Sequence, residues 1–146
     1  MFSFVRILYL GVLCIVACAF SSFQDAPQMV GRDQAVRIAE QFIIENGYGQ
    51  VRGDKNKLIY ELLDQDFGNT DSVLAYRFNS INPKAFCFTE SKTDWYIGFL
   101  FADVDVKVLD SPRISDWPGR AVLVAKNGRS IRIAHKMPRF SIFSRL

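Results

Sequence analysis

The sequence has little of the side-chain chemistry that builds metal and covalent sites. It contains a single histidine, His135, and three cysteines. There is no second histidine, no Cys pair within the domain and no His-Glu-x-x-His pattern, so the ligand spacing of a zinc site is missing. Cys87 is the one cysteine downstream of the apolar N-terminal run, which excludes an intramolecular disulfide once that run is removed. Its apolar neighbours predict a buried and inert thiol.

The usual patterns for phosphate, calcium and nucleic-acid binding are also missing. No glycine-rich phosphate loop occurs, and Asp103, Asp105 and Asp110 alternate with apolar residues without the glycine turn and closing Glu of a calcium loop. These carboxylates fit an exposed strand face or edge better. The formal net charge of +3 is small and forms no basic stripe, which argues against nucleic acid as a partner. The sequence therefore predicts neither a metal nor another cofactor.

An apolar N-terminal run predicts export. Residues 7–20 follow Arg6 directly, carry no charge and are mostly apolar. This length suits the core of a signal peptide and falls short of the ~20 residues that a membrane-spanning helix needs. We therefore expect a protein of the periplasm or a membrane-anchored lipoprotein, alternatively a secreted protein. A retained N-terminal helix is the remaining interpretation.

Two processing routes stay open at the end of this run. Ala17-Cys18-Ala19 is a small-x-small site at which signal peptidase would remove residues 1–19. Ile15-Val16-Ala17-Cys18 also resembles a bacterial lipobox, which implies removal of residues 1–17 and a lipid on Cys18. In that case several acyl chains would attach the protein firmly to a membrane surface.

The remaining ~125 residues are enough for one domain with its own hydrophobic core. Residues 20–32 suit a tether, and residues 33–146 form the predicted single domain. Within it, Asp33 is the expected cap of an amphipathic helix over 34–46, whose apolar residues recur at helical spacing. Gly47 follows at the place where a left-handed C-terminal residue is needed.

Downstream of this helix the apolar pattern takes the period of strands. It predicts strands over 57–63, 84–89 and 95–102, and a short helix over 73–78 that Asp71 or Ser72 caps. The run at 95–102 is apolar on both faces, as in a central strand covered on both sides. One long N-terminal helix followed by antiparallel strands predicts an α+β fold, in which the helix packs on a curved antiparallel sheet of four to six strands.

Asn127-Gly128 is a strong hairpin signal, because both residues of a two-residue type I′ turn need positive φ. Such a turn sets the cross-strand pairs Val124 with Ile131, Val122 with Ile133, and Arg120 with His135. Counting by twos, the last pair lies at the open end of the face that carries the apolar residues. His135 is therefore expected at a rim on the core side of the sheet.

The rim is a candidate site for chemistry. His135 is a candidate general base because its unperturbed pKa lies near neutrality, and Arg120 is a candidate holder of an anion, with Tyr60 or Tyr96 as further members. No Ser, Cys or Asp is tied to His135 by a recognisable spacing. We therefore favour a structural role for His135 and predict no catalysis.

Two stretches are candidate partner surfaces. The acidic residues Glu61, Asp64 and Asp66, with Asp71 following, are candidates for binding a basic protein, and a solvated loop is the alternative. With Arg120 and His135, the first three form the predicted partner-binding set. The tail, residues 136–146, mixes cations with aromatic residues, and it either binds a partner or a membrane surface or folds back on the sheet.

The order of these motifs resembles that of small bacterial immunity proteins with the nuclear-transport-factor-2-like (cystatin-like) fold. The residues that carry the likeness are the helix Gln34–Tyr48, the step Asn82-Pro83-Lys84-Ala85, the strand at Trp95 and the hairpin Gly119–His135. The resemblance implies a curved sheet wrapped round a helix, with a cone-shaped cavity. It also implies that the protein binds and neutralises a protein toxin by occlusion, without catalytic residues.

Export departs from the cytoplasmic members of that group and suits an antagonist of a toxin delivered to the periplasm. Two rival functions remain. One is a small-ligand binder or enzyme that uses the cavity with His135 and Arg120, which convergent polar groups in a cavity would favour. The other is a structural envelope lipoprotein, marked by processing at Cys18. A filled core with an exposed acidic or aromatic patch would favour the binding protein.

Overall fold

Two α-helices, a short 3₁₀ helix and five strands make up the part of the chain that the computed structural model describes, residues 29–104, 118–134 and 143–146. In chain order these elements are α1 (Arg32–Glu45), the 3₁₀ helix (Leu62–Phe67), α2 (Thr70–Arg77), β1 (Cys87–Glu90), β2 (Asp94–Leu100), β3 (Gly119–Ala125), β4 (Ile131–Ile133) and β5 (Ser144–Arg145). The leader with Cys18, the carboxylates of Asp105 and Asp110, His135 and residues 136–142 lie outside the described residues.

The five strands form one antiparallel sheet in the order β4-β3-β2-β1-β5. Along the central pair β2 and β3, Ile97 lies opposite Val122 and Phe99 opposite Arg120. The predicted central strand over 95–102 is confirmed as β2, whereas the strand predicted over 84–89 begins only at Cys87. The chain thus has the predicted α+β architecture with an antiparallel sheet.

α1 packs on one face of this sheet through a stripe of small and apolar side chains. Its buried residues recur at helical spacing and are Ala35, Ala39, Phe42 and Ile43. They share one core cluster with the sheet residues Ile97, Phe99, Val122, Val124 and Ile133. Burial of each large apolar side chain contributes about 1.5–3 kcal/mol, so this interface is the main source of the domain's stability.

The ends of α1 differ in how well the sequence indicates them. Gly31 is the N-terminal cap residue, and Asp33 lies in the first turn, where its carboxylate accepts a hydrogen bond from Arg32 Nε at 2.7 Å. The predicted cap at Asp33 is therefore wrong, although a carboxylate in the first turn still interacts favourably with the helix dipole. Gly47 has a left-handed φ of 80° after the last turn, as predicted.

The strand predicted over 57–63 is wrong. The backbone N–H of Ile59 donates to Asn46 Oδ1 at 2.6 Å, and the N–H of Glu61 donates to the Asp64 carboxylate. Side chains thus take the place of a neighbouring strand, and from Leu62 the chain forms the 3₁₀ helix instead.

The predicted short helix over 73–78 is confirmed as α2, but with a different cap. Asn69 is its N-cap, and its side-chain oxygen accepts a hydrogen bond from the Ser72 N–H at 2.9 Å. Neither Asp71 nor Ser72 is the cap residue, because α2 begins at Thr70, before both of them. Asn is among the strongest N-cap residues, which explains why α2 begins three residues before the predicted helix.

The predicted register of the hairpin is confirmed, whereas the predicted type I′ turn is wrong. Val122 lies opposite Ile133 and Val124 opposite Ile131. However, Gly128 alone of the two turn residues has positive φ, and its N–H donates to the carbonyl oxygen of Ala125 at 2.8 Å. The turn is therefore not of type I′, which requires positive φ at both central residues.

The chain enters α1 across the tip of this hairpin. Val30 donates its N–H to the carbonyl oxygen of Lys126 at 2.7 Å and accepts a hydrogen bond from Trp95 Nε1, also at 2.7 Å. Val30 is buried in the main core cluster. Backbone pairing and burial therefore fix the point at which the chain joins the domain.

The end of the tail lies on the opposite face of the sheet from α1. β5 pairs with β1, and the buried Phe143 belongs to a second cluster with Cys87, Leu100 and Ala121. Of the alternatives for the tail, its last residues therefore fold back on the sheet.

Substitution of Gly119 tests the close approach of β3 to β2. An added Cβ would lie 2.1 Å from the backbone oxygen of Phe99, which cannot move aside as a side chain can. We expect Gly119→Ala to lower the free energy of unfolding by about 1–3 kcal/mol or more, measured by urea denaturation. Gly49→Ala is the control, since its added Cβ would lie 3.5 Å from the side chain of Pro83, an ordinary contact distance. Equal stability of the two variants would contradict the packing described for β2 and β3.

Candidate functional site

Arg77, at the end of α2, is the centre of a buried polar cluster. Only 1% of its side chain is exposed. Its Nη2 donates to the Asp64 carboxylate of the 3₁₀ helix and to the carbonyl oxygen of Ile59 at 3.0 Å. Its Nη1 donates to the carbonyl oxygen of Asn46 at 3.3 Å, and the guanidinium lies 4.6 Å from the centre of the Tyr48 ring. One side chain therefore joins the end of α1, the following loop, the 3₁₀ helix and α2.

A second ion pair extends this cluster to the sheet. Arg120 Nη2, from β3, donates to Glu61 Oε2 at 2.7 Å and to the carbonyl oxygen of Ala134 at 3.0 Å. The other oxygen of Glu61 lies 3.9 Å from Arg77 Nη2. The cluster thus holds two guanidinium groups and two carboxylates, so its formal charge is balanced. Such balance matters because an uncompensated buried charge is strongly destabilising.

The acidic group predicted as a partner surface is divided by this arrangement. Glu61 and Asp64 keep only 8% and 4% of their side chains exposed, and both are paired with arginines. Asp66 is exposed. Asp71 is exposed as well, and its carboxylate binds Arg52 at 2.6 Å and Lys55 at 2.8 Å. Glu61 and Asp64 are therefore not part of a solvated acidic loop, and a role of these residues in partner binding stays a prediction.

Arg120, the predicted holder of an anion at the rim, already pairs with a carboxylate of the protein. Its Nη2 donates to Glu61 and to the backbone of Ala134, and a role of Arg120 in anion binding stays a prediction. Arg120 lies on the α1 side of the sheet, opposite Phe99, whereas Tyr96 packs with the cluster on the other side. The structure therefore does not bring Arg120 and Tyr96 together, and His135 lies outside the described residues.

A cleft of about 660 Å³ opens over the buried cluster. Its wall comes from the loop before the 3₁₀ helix, that helix and the start of α2, and includes Tyr60, Glu61, Leu62, Gln65, Asn69 and Val73. The hydroxyls of Tyr60 and Thr70 share a hydrogen bond of 2.6 Å across it. Glu61 and Asp64 thus both contribute to the wall of the cleft.

Large apolar side chains are exposed around the cleft and along α2. We use the name 59–78 surface for the five exposed apolar side chains within this range. They are Ile59, Tyr60, Leu62, Tyr76 and Phe78. Tyr76 stacks on Phe67, with ring centres 4.6 Å apart. This surface is not predicted from the sequence, because residues 57–63 are predicted as a strand.

The described part of the chain contains neither a candidate metal-binding cluster nor a helix able to span a membrane. Residues 29–104, 118–134 and 143–146 contain no group of three or more His, Cys, Asp or Glu side chains placed to hold a metal ion. Within the same ranges, neither α-helix combines the length and the apolar character that crossing a membrane requires.

No family model, curated protein or solved structure matches the chain.

Cys87 is the remaining candidate for covalent chemistry, and its burial explains why we predict it to be inert. The thiol is buried in β1, and this burial raises the pKa of Cys87 from an ordinary 9.0 to about 12. The neutral thiol is therefore favoured in the folded state. Its contribution to stability is complete below about pH 9 and is lost as the pH rises towards 12.

We expect Cys87 to resist alkylation by iodoacetamide in the native protein at about pH 8 and to react fully in denaturant, because the thiolate is the nucleophile. Peptide mass mapping identifies Cys87 separately from the other cysteines. Rapid modification of Cys87 in the native protein would contradict the buried, inert role.

Proposed function

We propose that this chain is an exported protein-binding domain of the immunity type, which neutralises a protein toxin by occluding it and performs no catalysis. The observation that supports this most directly is the concentration of exposed aromatic and apolar side chains on the 59–78 surface. Exposed contiguous apolar patches rimmed by polar residues are typical of protein interaction sites.

The core supports occlusion in preference to use of an interior cavity. At the interface of α1 and the sheet, Ala35, Ile43, Ile97, Phe99 and Val122 have no exposed surface. They pack together in one cluster between α1 and the sheet, whereas the resemblance implies a cone-shaped cavity. The finer assignment to that fold is part of this proposal, and the order of helices followed by an antiparallel sheet supports it.

The compartment belongs to the proposal as well. The apolar run at residues 7–20 supports export, either as a periplasmic protein or as a lipoprotein attached through Cys18. A toxin delivered to the periplasm is then the partner class that an exported inhibitor would meet.

A small-ligand binder is the second candidate, and one observation favours it. The cleft of about 660 Å³ has the size of ordinary ligand sites, and its mainly apolar wall includes the polar side chains of Gln65 and Asn69. This cleft is built from Tyr60, Glu61 and their neighbours, so it differs from the site predicted at Arg120 and His135.

Affinity capture with a matched pair of variants tests the proposal. The C-terminally tagged protein is used on an envelope extract of the source cells, beside Leu62→Asp and Val51→Asp. The two side chains are equally exposed, at 64% and 63%, but Val51 lines a separate hollow beside Pro83. We expect a stoichiometric partner whose capture is lost with Leu62→Asp and kept with Val51→Asp, because a charge at the centre of an apolar interface is not solvated.

The captured partner is then assayed for toxicity with and without the protein. Protection of cells by the wild-type chain and not by Leu62→Asp is the expected result. A partner captured equally well by both variants would contradict the 59–78 surface. A bound small molecule in place of a protein, seen in the intact mass of the purified chain, would overturn the inhibitor function in favour of the ligand binder.

A further inference from the structure

We propose that the cluster around Arg77 binds one buried water molecule, which bridges Arg77 Nε, Glu61 Oε1 and the hydroxyl group of Tyr48. The water completes the hydrogen bonding beneath the 59–78 surface. Such a site lies in the interior of the protein and does not depend on the proposed function. Three observations point to it: the unpaired polar atoms around one guanidinium group, the distances between their side chains, and the charge balance of the cluster.

Three buried side-chain atoms lack a hydrogen-bond partner among the described residues, and all three belong to this cluster. They are Arg77 Nε, Glu61 Oε1 and the Tyr48 hydroxyl oxygen. The three side chains are each more than nine-tenths buried. Unpaired buried polar groups are uncommon and costly, so three of them around one guanidinium group point to a shared partner.

Arg77 does not bind Glu61 Oε1 directly. Its Nη2 lies 3.9 Å from this oxygen, which is beyond hydrogen-bond distance. Both hydrogens of Nη2 are already used, by the carbonyl oxygen of Ile59 and by the carboxylate of Asp64. The other oxygen of Glu61 accepts from Arg120. The pairing of Arg77 with its protein neighbours therefore leaves its Nε–H and Glu61 Oε1 to be completed by another group.

One small molecule can reach all three atoms. Two hydrogen bonds of about 3 Å each span up to about 6 Å. Nε and Nη2 of Arg77 form one edge of the planar guanidinium group, and this edge faces Glu61, since Nη2 is 3.9 Å from Oε1. The same guanidinium lies 4.6 Å from the centre of the Tyr48 ring, which carries the hydroxyl group. The three atoms form no direct hydrogen bonds but are close enough for a single bridging molecule.

The polarity of the three atoms selects water as this molecule. Arg77 Nε only donates, the Glu61 carboxylate only accepts, and the Tyr48 hydroxyl group does either, so the bridge must both accept and donate. The two guanidinium groups and two carboxylates of the cluster already balance. A cation would therefore be repelled by Arg77 and an anion by Glu61. Water is small and neutral, and buried waters typically make about three hydrogen bonds to groups that otherwise lack partners.

A high-resolution crystal structure of the purified protein tests the site. We expect a single ordered water within about 3.2 Å of Arg77 Nε, Glu61 Oε1 and the Tyr48 hydroxyl oxygen. A direct hydrogen bond between Arg77 Nε and Glu61 Oε1 would overturn the inference, because the two groups would then complete each other. Density for an ion, or no density between the three groups, would overturn it as well.

Removal of the Tyr48 hydroxyl group is a second test, in solution. Tyr48→Phe keeps the aromatic ring that lies against Arg77. Because the bound water makes a hydrogen bond to this hydroxyl group, we expect its loss to lower the midpoint of urea denaturation. Tyr76→Phe is the matched control, since Tyr76 is exposed and loss of its hydroxyl group should leave the midpoint unchanged. An unchanged or higher midpoint for Tyr48→Phe would contradict the bridge, because removal of an unpaired buried hydroxyl group relieves a desolvation cost.

Discussion

The buried guanidinium of Arg77 is the interaction on which the region outside the helix–sheet core depends. It reaches the backbone of Asn46 at the end of α1, the carbonyl oxygen of Ile59 and the carboxylate of Asp64. The segment between α1 and α2 has no strand or α-helix of its own to hold it. Its geometry comes instead from side chains that form hydrogen bonds with its backbone. Arg77 contributes most, because it binds both the backbone of Ile59 and the carboxylate of Asp64. A buried charge is tolerated here because two carboxylates and an aromatic ring compensate it.

The pairing of these buried charges determines which groups are exposed on the surface above them. Because Glu61 and Asp64 pair with Arg77 and Arg120, the surface above them shows aromatic and aliphatic groups rather than a row of free carboxylates. Such a surface suits an apolar contact with a partner, which is the interface proposed for an occluding inhibitor.

The core was predictable from sequence, and the candidate site was not. Helical spacing predicts α1, unbroken apolar character predicts β2, and Asn127-Gly128 sets the pairing of Val122 with Ile133, because these signals are local. Residues 57–63 are predicted as a strand, which is wrong because the backbone of Ile59 binds the side chains of Asn46 and Arg77, and both lie far away in sequence. The burial of Glu61 and Asp64 depends on the same distant contacts, and no local pattern marks the last residue of α2 as buried.

A double-mutant cycle between Arg77 and Asp64 tests this account most directly. Arg77→Met and Asp64→Asn, singly and together, are compared by urea denaturation with the exposed pair of Arg52 and Asp71 under the same treatment. The account predicts that each single change at the buried pair lowers the free energy of unfolding by about 3 kcal/mol. The double variant should then be only slightly less stable than either single variant. The same substitutions at the exposed pair should change the free energy of unfolding little. Additive losses at Arg77 and Asp64, within about 0.5 kcal/mol, would contradict the claim that this ion pair holds the site together.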